Sequence, residues 1–228
     1  MSNESNRVVA IDGPSASGKS TVSKLVAKEL AFTYVDSGEL YRGMTWKAIS
    51  AGVDIARTEQ VIELMNAMRI EFFAQEKVVL FTLDGEDPIP QLRSEPVREN
   101  VADIAAIPEV RAFMVARLRE MVRFGDIVME GRDIGTVVFP ATAFKFYLDA
   151  NPEERARRRQ AELAPVEGVR DVRQVLDSLQ RRDRKDSTRK TAPLQIALGA
   201  RIVDSTRMGI DEVVALIVAD VRARWGGA

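Results

Sequence analysis

Two residue types that carry much of enzyme chemistry are missing from this chain of 228 residues, which has no cysteine and no histidine. Without cysteine there can be no disulfide, thiol nucleophile or thiolate metal site. Without histidine the commonest general base and the commonest metal ligand are gone, which excludes Ser-His triads and His-ligated zinc chemistry. Catalysis must come from Asp, Glu, Lys, Arg, hydroxyls, backbone amides or an oxygen-bound cation. Charge of one sign is not in excess either. A net charge of −1 gives no reason to expect a nucleic-acid or membrane partner. Long apolar runs are also absent. Val8 to Ile11 follows a polar start, Met1 to Asn6, and is far too short for a signal-peptide core. Nothing approaches the roughly 18 consecutive apolar residues of a membrane helix. A cytoplasmic location is expected.

What is present suits one compact domain, or one domain with small appended subdomains, with 46% apolar residues for a core and 29% charged residues for a surface. Strand-like and helix-like segments alternate. Arg7 to Asp12 reads as a buried strand closed by Asp-Gly-Pro, and Ser20 to Leu30 as a helix with Val22, Leu25, Val26 and Leu30 on one stripe. Phe32 to Val35 gives a second strand and Gly38 to Ala51 a second helix. Further strands are expected at Ile127 to Met129, Phe144 to Leu148 and Arg201 to Asp204. Polar, Arg-rich helices are expected at Glu153 to Leu163 and Val172 to Arg184, and a closing helix over Ile210 to Arg224. This pattern predicts an α/β fold of three layers, a parallel sheet flanked by helices.

Residues 69–94 break the alternation. Ile70 to Phe73 and Lys77 to Leu83 precede an Asp84-Gly85 turn, and Ile89 to Leu92 offers a third strand, so a small antiparallel insertion is expected here. Helices over about 95–105 and 109–123 lead back to the core. The expected division is a core of 7–66 and 124–228, an insertion of about 67–123, and a helical lid of about 153–168.

The strongest chemical signal is Gly13-Pro14-Ser15-Ala16-Ser17-Gly18-Lys19-Ser20, a complete G-x-x-x-x-G-K-S phosphate-binding loop between a predicted strand and a predicted helix. Its glycines let consecutive amides face phosphate oxygens, and the helix N-terminus adds a favourable dipole. Lys19 is expected to reach the outer phosphates, the Ser20 hydroxyl to bind Mg²⁺, and Thr21 to complete the nucleotide contacts. The alternative is a chance Gly-rich turn, and a chance match to the full motif is expected in roughly one chain of this length in a hundred.

Arginines after predicted strands point to a second phosphorylated ligand. Arg42 follows Asp36-Ser37-Gly38, and Arg132 lies in Glu130-Gly131-Arg132-Asp133. Ligands of open parallel sheets gather at these strand ends, and arginine forks grip phosphate. A lone arginine is usually a solvated surface residue; glycine beside it at a strand end favours a site. From Arg155 to Lys190 there are 12 basic residues against 6 acidic ones. A solvated face with pairs such as Arg158–Glu162 is one reading, and nucleic-acid binding another, weakened by the absence of interleaved aromatics. The third is a ligand grip, because Arg182, Asp186 and Arg189 fall at i, i+4 and i+7 if that helix continues.

The chain resembles the bacterial cytidylate kinases. The resemblance runs from about Val8 to the final helix. It is carried by Ile11-Asp12-Gly13-Pro14, Asp36-Ser37-Gly38 with Tyr41-Arg42, Glu130 to Pro140, Glu154-Arg155-Ala156 with Arg158-Arg159, Arg182-Asp183 with Asp186 and Arg189, Ala192-Pro193-Leu194, and Val203 to Thr206. It implies a kinase taking CMP or dCMP as acceptor and ATP with Mg²⁺ as donor, acting as a monomer on small molecules without nucleic acid or membrane. It further implies that Arg42, Arg132 and Arg189 hold the acceptor phosphate and that Arg182 and Asp186 contact the ribose. Ser37, Arg111 and Asp133 line the cytosine pocket, and Arg155 and Arg159 belong to a lid over ATP. Lys19, Arg132, Arg159 and Arg189 are the implied catalytic set. Ala102, followed by Asp103, stands where many relatives place a serine near the base. Two other readings stay open, a kinase for a different small acceptor and a P-loop ATPase that binds nucleic acid through its Arg-rich segment.

Overall fold

The computed structural model describes residues 7–167 and 171–225. Met1 to Asn6, and Gly168 at the end of the expected lid, lie outside them. The chain opens with β1 (Val8–Asp12), α1 (Lys19–Leu30), β2 (Thr33–Asp36) and α2 (Ser37–Ser50). It continues with α3 (Thr58–Ala67), β3 (Ile70–Gln75), β4 (Val78–Leu83), α4 (Glu95–Ile104) and α5 (Pro108–Arg119). Next come β5 (Ile127–Gly131), β6 (Phe144–Asp149), α6 (Pro152–Glu167), α7 (Val172–Thr188), β7 (Arg201–Asp204) and α8 (Ile210–Trp225).

Among the described residues seven strands form one sheet in the order β3-β4-β2-β5-β1-β6-β7, and only the β3–β4 pair of strands is antiparallel. The period of two along a strand explains how both faces are filled. In β1, Val8 and Ala10 join a cluster with α2, α3 and α5, while Val9 and Ile11 join the opposite cluster with α1 and α8. Likewise Ile127 and Met129 of β5 face one layer and Val128 the other. Strands buried on both faces must read as continuous apolar runs, which is why β1 and β5 stand out in the sequence.

The antiparallel hairpin is not a separate body. It continues the main sheet through a single parallel pairing of Tyr34 with Val78. Ile89 to Leu92, expected as a third strand, is a 3-10 turn over Ile89–Gln91. Pro90 explains the difference, since a residue without an N–H suits a helical first turn and not a sheet ladder. Among the described residues no helix is long and apolar enough to cross a membrane.

The topology gathers the functional loops. From β1 the chain moves to β2 on one side, and later to β6 and β7 on the other. The carboxyl ends of β1, β2 and β5 therefore open onto one crevice.

Candidate active site

Between β1 and α1 the loop turns sharply at Gly13, where an added Cβ would stand 2.0 Å from the Leu148 carbonyl oxygen. No side chain caps α1, and its first turn carries no acidic residue, so its leading amides are left for an anion. Lys19 is 5% exposed. Its Nζ donates to the Pro14 carbonyl at 2.6 Å and to Ser17 Oγ at 3.3 Å, folding the side chain back over the loop. Burial, and then the Arg132 charge, bring its pKa down to about 7. Glu130 at the end of β5 lies close by, accepts a hydrogen bond from Tyr34 at 2.5 Å, and faces the Ser20 hydroxyl. Burial, followed by the Asp36 charge, raises its pKa.

A cavity of about 740 Å³ runs from this loop to α4 and α7. Ten basic and five acidic side chains line it, a balance suited to ligands carrying several negative charges. On the loop side it takes in Ser15, Ala16, Gly18, Lys19, Ser20 and Thr21. Ser37 and Arg42 enter from α2, and Arg132 and Asp133 from the segment after β5. Arg111, Arg159, Arg182, Asp186 and Arg189 complete the expected set. Gly13, Pro14, Ser17 and Arg155 shape the loop or its support without lining the cavity.

Arg132 is the hinge of this arrangement. Its Nε donates to Asp186 at 3.0 Å and its Nη2 to Ser15 Oγ at 2.9 Å, so one guanidinium spans α7 and the phosphate loop. Arg182 is half-buried beside it, and desolvation followed by the Arg132 charge brings its pKa down to about 10. Arg189 does not arrive as another turn of α7. The helix ends at Thr188, and Arg189 is its extended cap, 3.7 Å from Asp186 and 3.9 Å from Asp133. Ser37 Oγ donates to the Glu130 carbonyl at 2.7 Å, and Gly131 leaves room for it, because a Cβ there would stand 2.5 Å from that hydroxyl.

At the far end, Arg111 forms an ion pair with Asp133, with side chains 2% and 6% exposed. The Arg111 guanidinium also lies 5.3 Å from the Tyr41 ring centre. Buried nitrogens of Arg42, Arg111, Arg182 and Arg189, and the Tyr41 hydroxyl, have no hydrogen-bond partner among the described residues. Such donors are costly to bury unless a ligand meets them. Ala102 lines the cavity, while Asp103 turns outward to Lys185 at 2.8 Å.

The Arg-rich helices largely serve this site. Arg155 is 7% exposed, pairs with Asp183 and donates to the Ser15 carbonyl, which makes it a brace for the phosphate loop. Arg158 pairs with Glu154, not with Glu162 as its spacing suggested, and reaches the Ser17 carbonyl and Ser205. Glu162 instead joins Arg159 at 2.8 Å to Arg93 at 3.0 Å. Sequence reasoning had not singled out Tyr41, Glu130 or Asp183 for the site. Each lies inside a motif that carries the family resemblance, but only tertiary packing shows which way it faces.

Among the described residues no group of three or more Asp, Glu, His or Cys side chains could cage a metal. A hydroxyl in the first turn of α1 with a carboxylate beside it still suits Mg²⁺, which keeps its waters and binds largely through substrate phosphates.

The cytidylate kinase family model matches residues 9–223. The chain is 44% identical over 217 residues to a cytidylate kinase of Pelotomaculum thermopropionicum, covering 94% of this chain and 96% of that one. It is 46% identical over 209 residues to a cytidylate kinase of Lactiplantibacillus plantarum, covering 92% of each. An uncharacterised protein of Eubacterium ventriosum shares the fold, with a TM-score of 0.51 at 9% identity over 96% of this chain and 99% of that one.

Proposed function

The chain belongs to the cytidylate kinase family, and from that premise we propose that it transfers the γ-phosphate of ATP to CMP or dCMP, giving ADP and the diphosphate. The observation that carries the site assignment is Arg132, whose guanidinium joins Ser15 of the phosphate loop to Asp186 of α7. A cation in that position touches both the donor and the acceptor halves of the cavity.

In this reading the loop amides, Lys19 and Arg159 hold the donor phosphates. Arg42, Arg132 and Arg189 hold the acceptor phosphate, and Arg182 and Asp186 meet the ribose. Ser37, Arg111 and Asp133 read the base, where a carboxylate accepts from the cytosine amino group and repels the carbonyl of uracil. Mg²⁺, held by Ser20 and the phosphates, supplies charge neutralisation when bound. The attacking group is an ionised phosphate oxygen, so a chain without histidine needs no strong base. Its task is to align two anions and to stabilise the charge on the moving phosphoryl group. The lid helix α6 keeps water from the transfer, and the inward commitment of Arg155, Arg158 and Arg182 supports a small-molecule site over a nucleic-acid face.

Replacing Lys19 or Arg132 by alanine is expected to abolish transfer, with the circular dichroism spectrum unchanged. Turnover near that of the unaltered chain in either folded variant refutes the assignment.

A further inference from the structure

Asp133 opens a short π-helical turn, Ile134–Val138, whose backbone bonds start at its own carbonyl. Aspartate at such a position ordinarily bends its side chain back to cap the free amides that follow. Here it makes no such bond. Its carboxylate is instead committed to Arg111 and lies 3.9 Å from Arg189.

The cap comes from another strand. Asp12, opposite Gly131 in the β1–β5 register, accepts from the Ile134 amide through one oxygen and from the Gly135 amide through the other, both at 2.8 Å. It is 3% exposed, so these bonds are sheltered from water. The Gly135 amide is one that an aspartate in the place of Asp133 would take for itself.

We propose that Asp12 is a specificity-positioning residue. By capping the turn across the sheet, it keeps the Asp133 carboxylate from capping its own turn and leaves it facing Arg111 and the substrate base. Asp12 touches no substrate; it acts through Asp133. Without its carboxylate, the vacated Gly135 amide competes for Asp133, and Asp133 divides its time between turn and pocket. The inference rests on the reading of Asp133 as a base-reading group.

The test compares kcat/KM for CMP and for UMP at saturating ATP in Asp12→Asn, Asp133→Asn and the double variant. Asn keeps the shape of Asp12 but accepts one amide, not two. A drop of about tenfold in the CMP-to-UMP ratio is expected in Asp12→Asn, the size of one buried charge-assisted bond. In the double variant Asp12→Asn adds little beyond Asp133→Asn, because both act through one carboxylate. A merely structural role lowers both rates together and leaves the ratio alone, and that outcome overturns the proposal. So do independent, multiplying effects in the double variant. If Asp133→Asn itself leaves the ratio unchanged, the base-reading role fails, and this inference falls with it. Should Asp12→Asn fail to fold, Asp12→Ser, which can still take one amide, carries the same comparison.

Discussion

The phenol of Tyr34 donates to the Glu130 carboxyl at 2.5 Å, across the β2–β5 pair and directly behind the phosphate loop. Tyr34 and Val128 are opposite each other, and Glu130 lies two residues further along the same face. Lys24 covers the Tyr34 ring at 5.4 Å, and burial drives the phenol pKa far up, so the proton stays on the oxygen. The bond orients a carboxyl group that borders both Lys19 and Ser20. Tyr34→Phe is expected to cost about 1–2 kcal/mol of stability in urea titration, by leaving a buried oxygen short of a donor. Because Glu130 borders Lys19 and Ser20 of the phosphate loop, kcat is expected to fall several-fold while KM for CMP holds. A raised CMP KM with normal kcat contradicts this placement.

Gly13→Ala is expected to lower stability by about 3 kcal/mol or more, since the Leu148 carbonyl that its Cβ would strike is backbone inside the sheet and cannot step aside. For a chain of this size that is a melting-temperature drop of roughly 6–12 °C. A variant that melts with the unaltered protein shows that the loop has another way to leave β1.

Arg111→Met leaves the Asp133 carboxylate buried without its main partner. Breaking such a pair from one side typically costs about 3–5 kcal/mol. Arg111→Met/Asp133→Asn, which also removes the stranded charge, is expected to recover most of that loss. Urea titration of the three proteins decides; a double variant no more stable than the single one shows that packing, not charge, governs this spot.

Asp12 gives the molecule a pH signature. Burial lifts its pKa from 3.8 to about 6, against the pull of the Gly135 and Ile134 amides; the Asp133 charge adds to the rise, and Lys19 opposes it. An acid whose native pKa is raised holds its proton more tightly when folded. Its contribution is therefore present below pH 3.8 and lost as pH climbs through about 6, on the order of 2–3 kcal/mol in all. Asp12→Asn lacks this titration. Its stability relative to the unaltered chain is expected to improve between pH 4 and pH 7, as read by urea titration at each pH. A difference that stays constant over that range shows that Asp12 titrates as it does in the unfolded chain.

The parts of this molecule written in continuous local patterns were legible from sequence. The apolar run before Asp12-Gly13-Pro14 announces β1, and the loop that follows sits where a strand–helix junction requires it. Ser37, Arg42, Arg132, Asp133, Arg182 and Asp186 do meet in one cavity. Features decided by packing between distant segments were not legible. Arg158 has acidic residues at both i−4 and i+4, and spacing alone could not say that Glu154 takes it while Glu162 reaches out to Arg93. Arg155 reads as one more lid arginine until Asp183 and the Ser15 carbonyl are seen around it. Asp12 reads as the end of a strand, and its partners lie 122 and 123 residues away.

We propose that one cavity joins an ATP site to a site for a cytidine monophosphate, with Asp133 reading the base and Arg132 holding the acceptor phosphate beside the phosphate loop. It is tested most directly by supplying ATP and Mg²⁺ with CMP, dCMP, UMP or AMP in parallel and following ADP formation. CMP and dCMP are expected to be phosphorylated efficiently, UMP poorly and AMP not at all. Preference for UMP or AMP, or ADP released at the same rate with no acceptor present, contradicts the account.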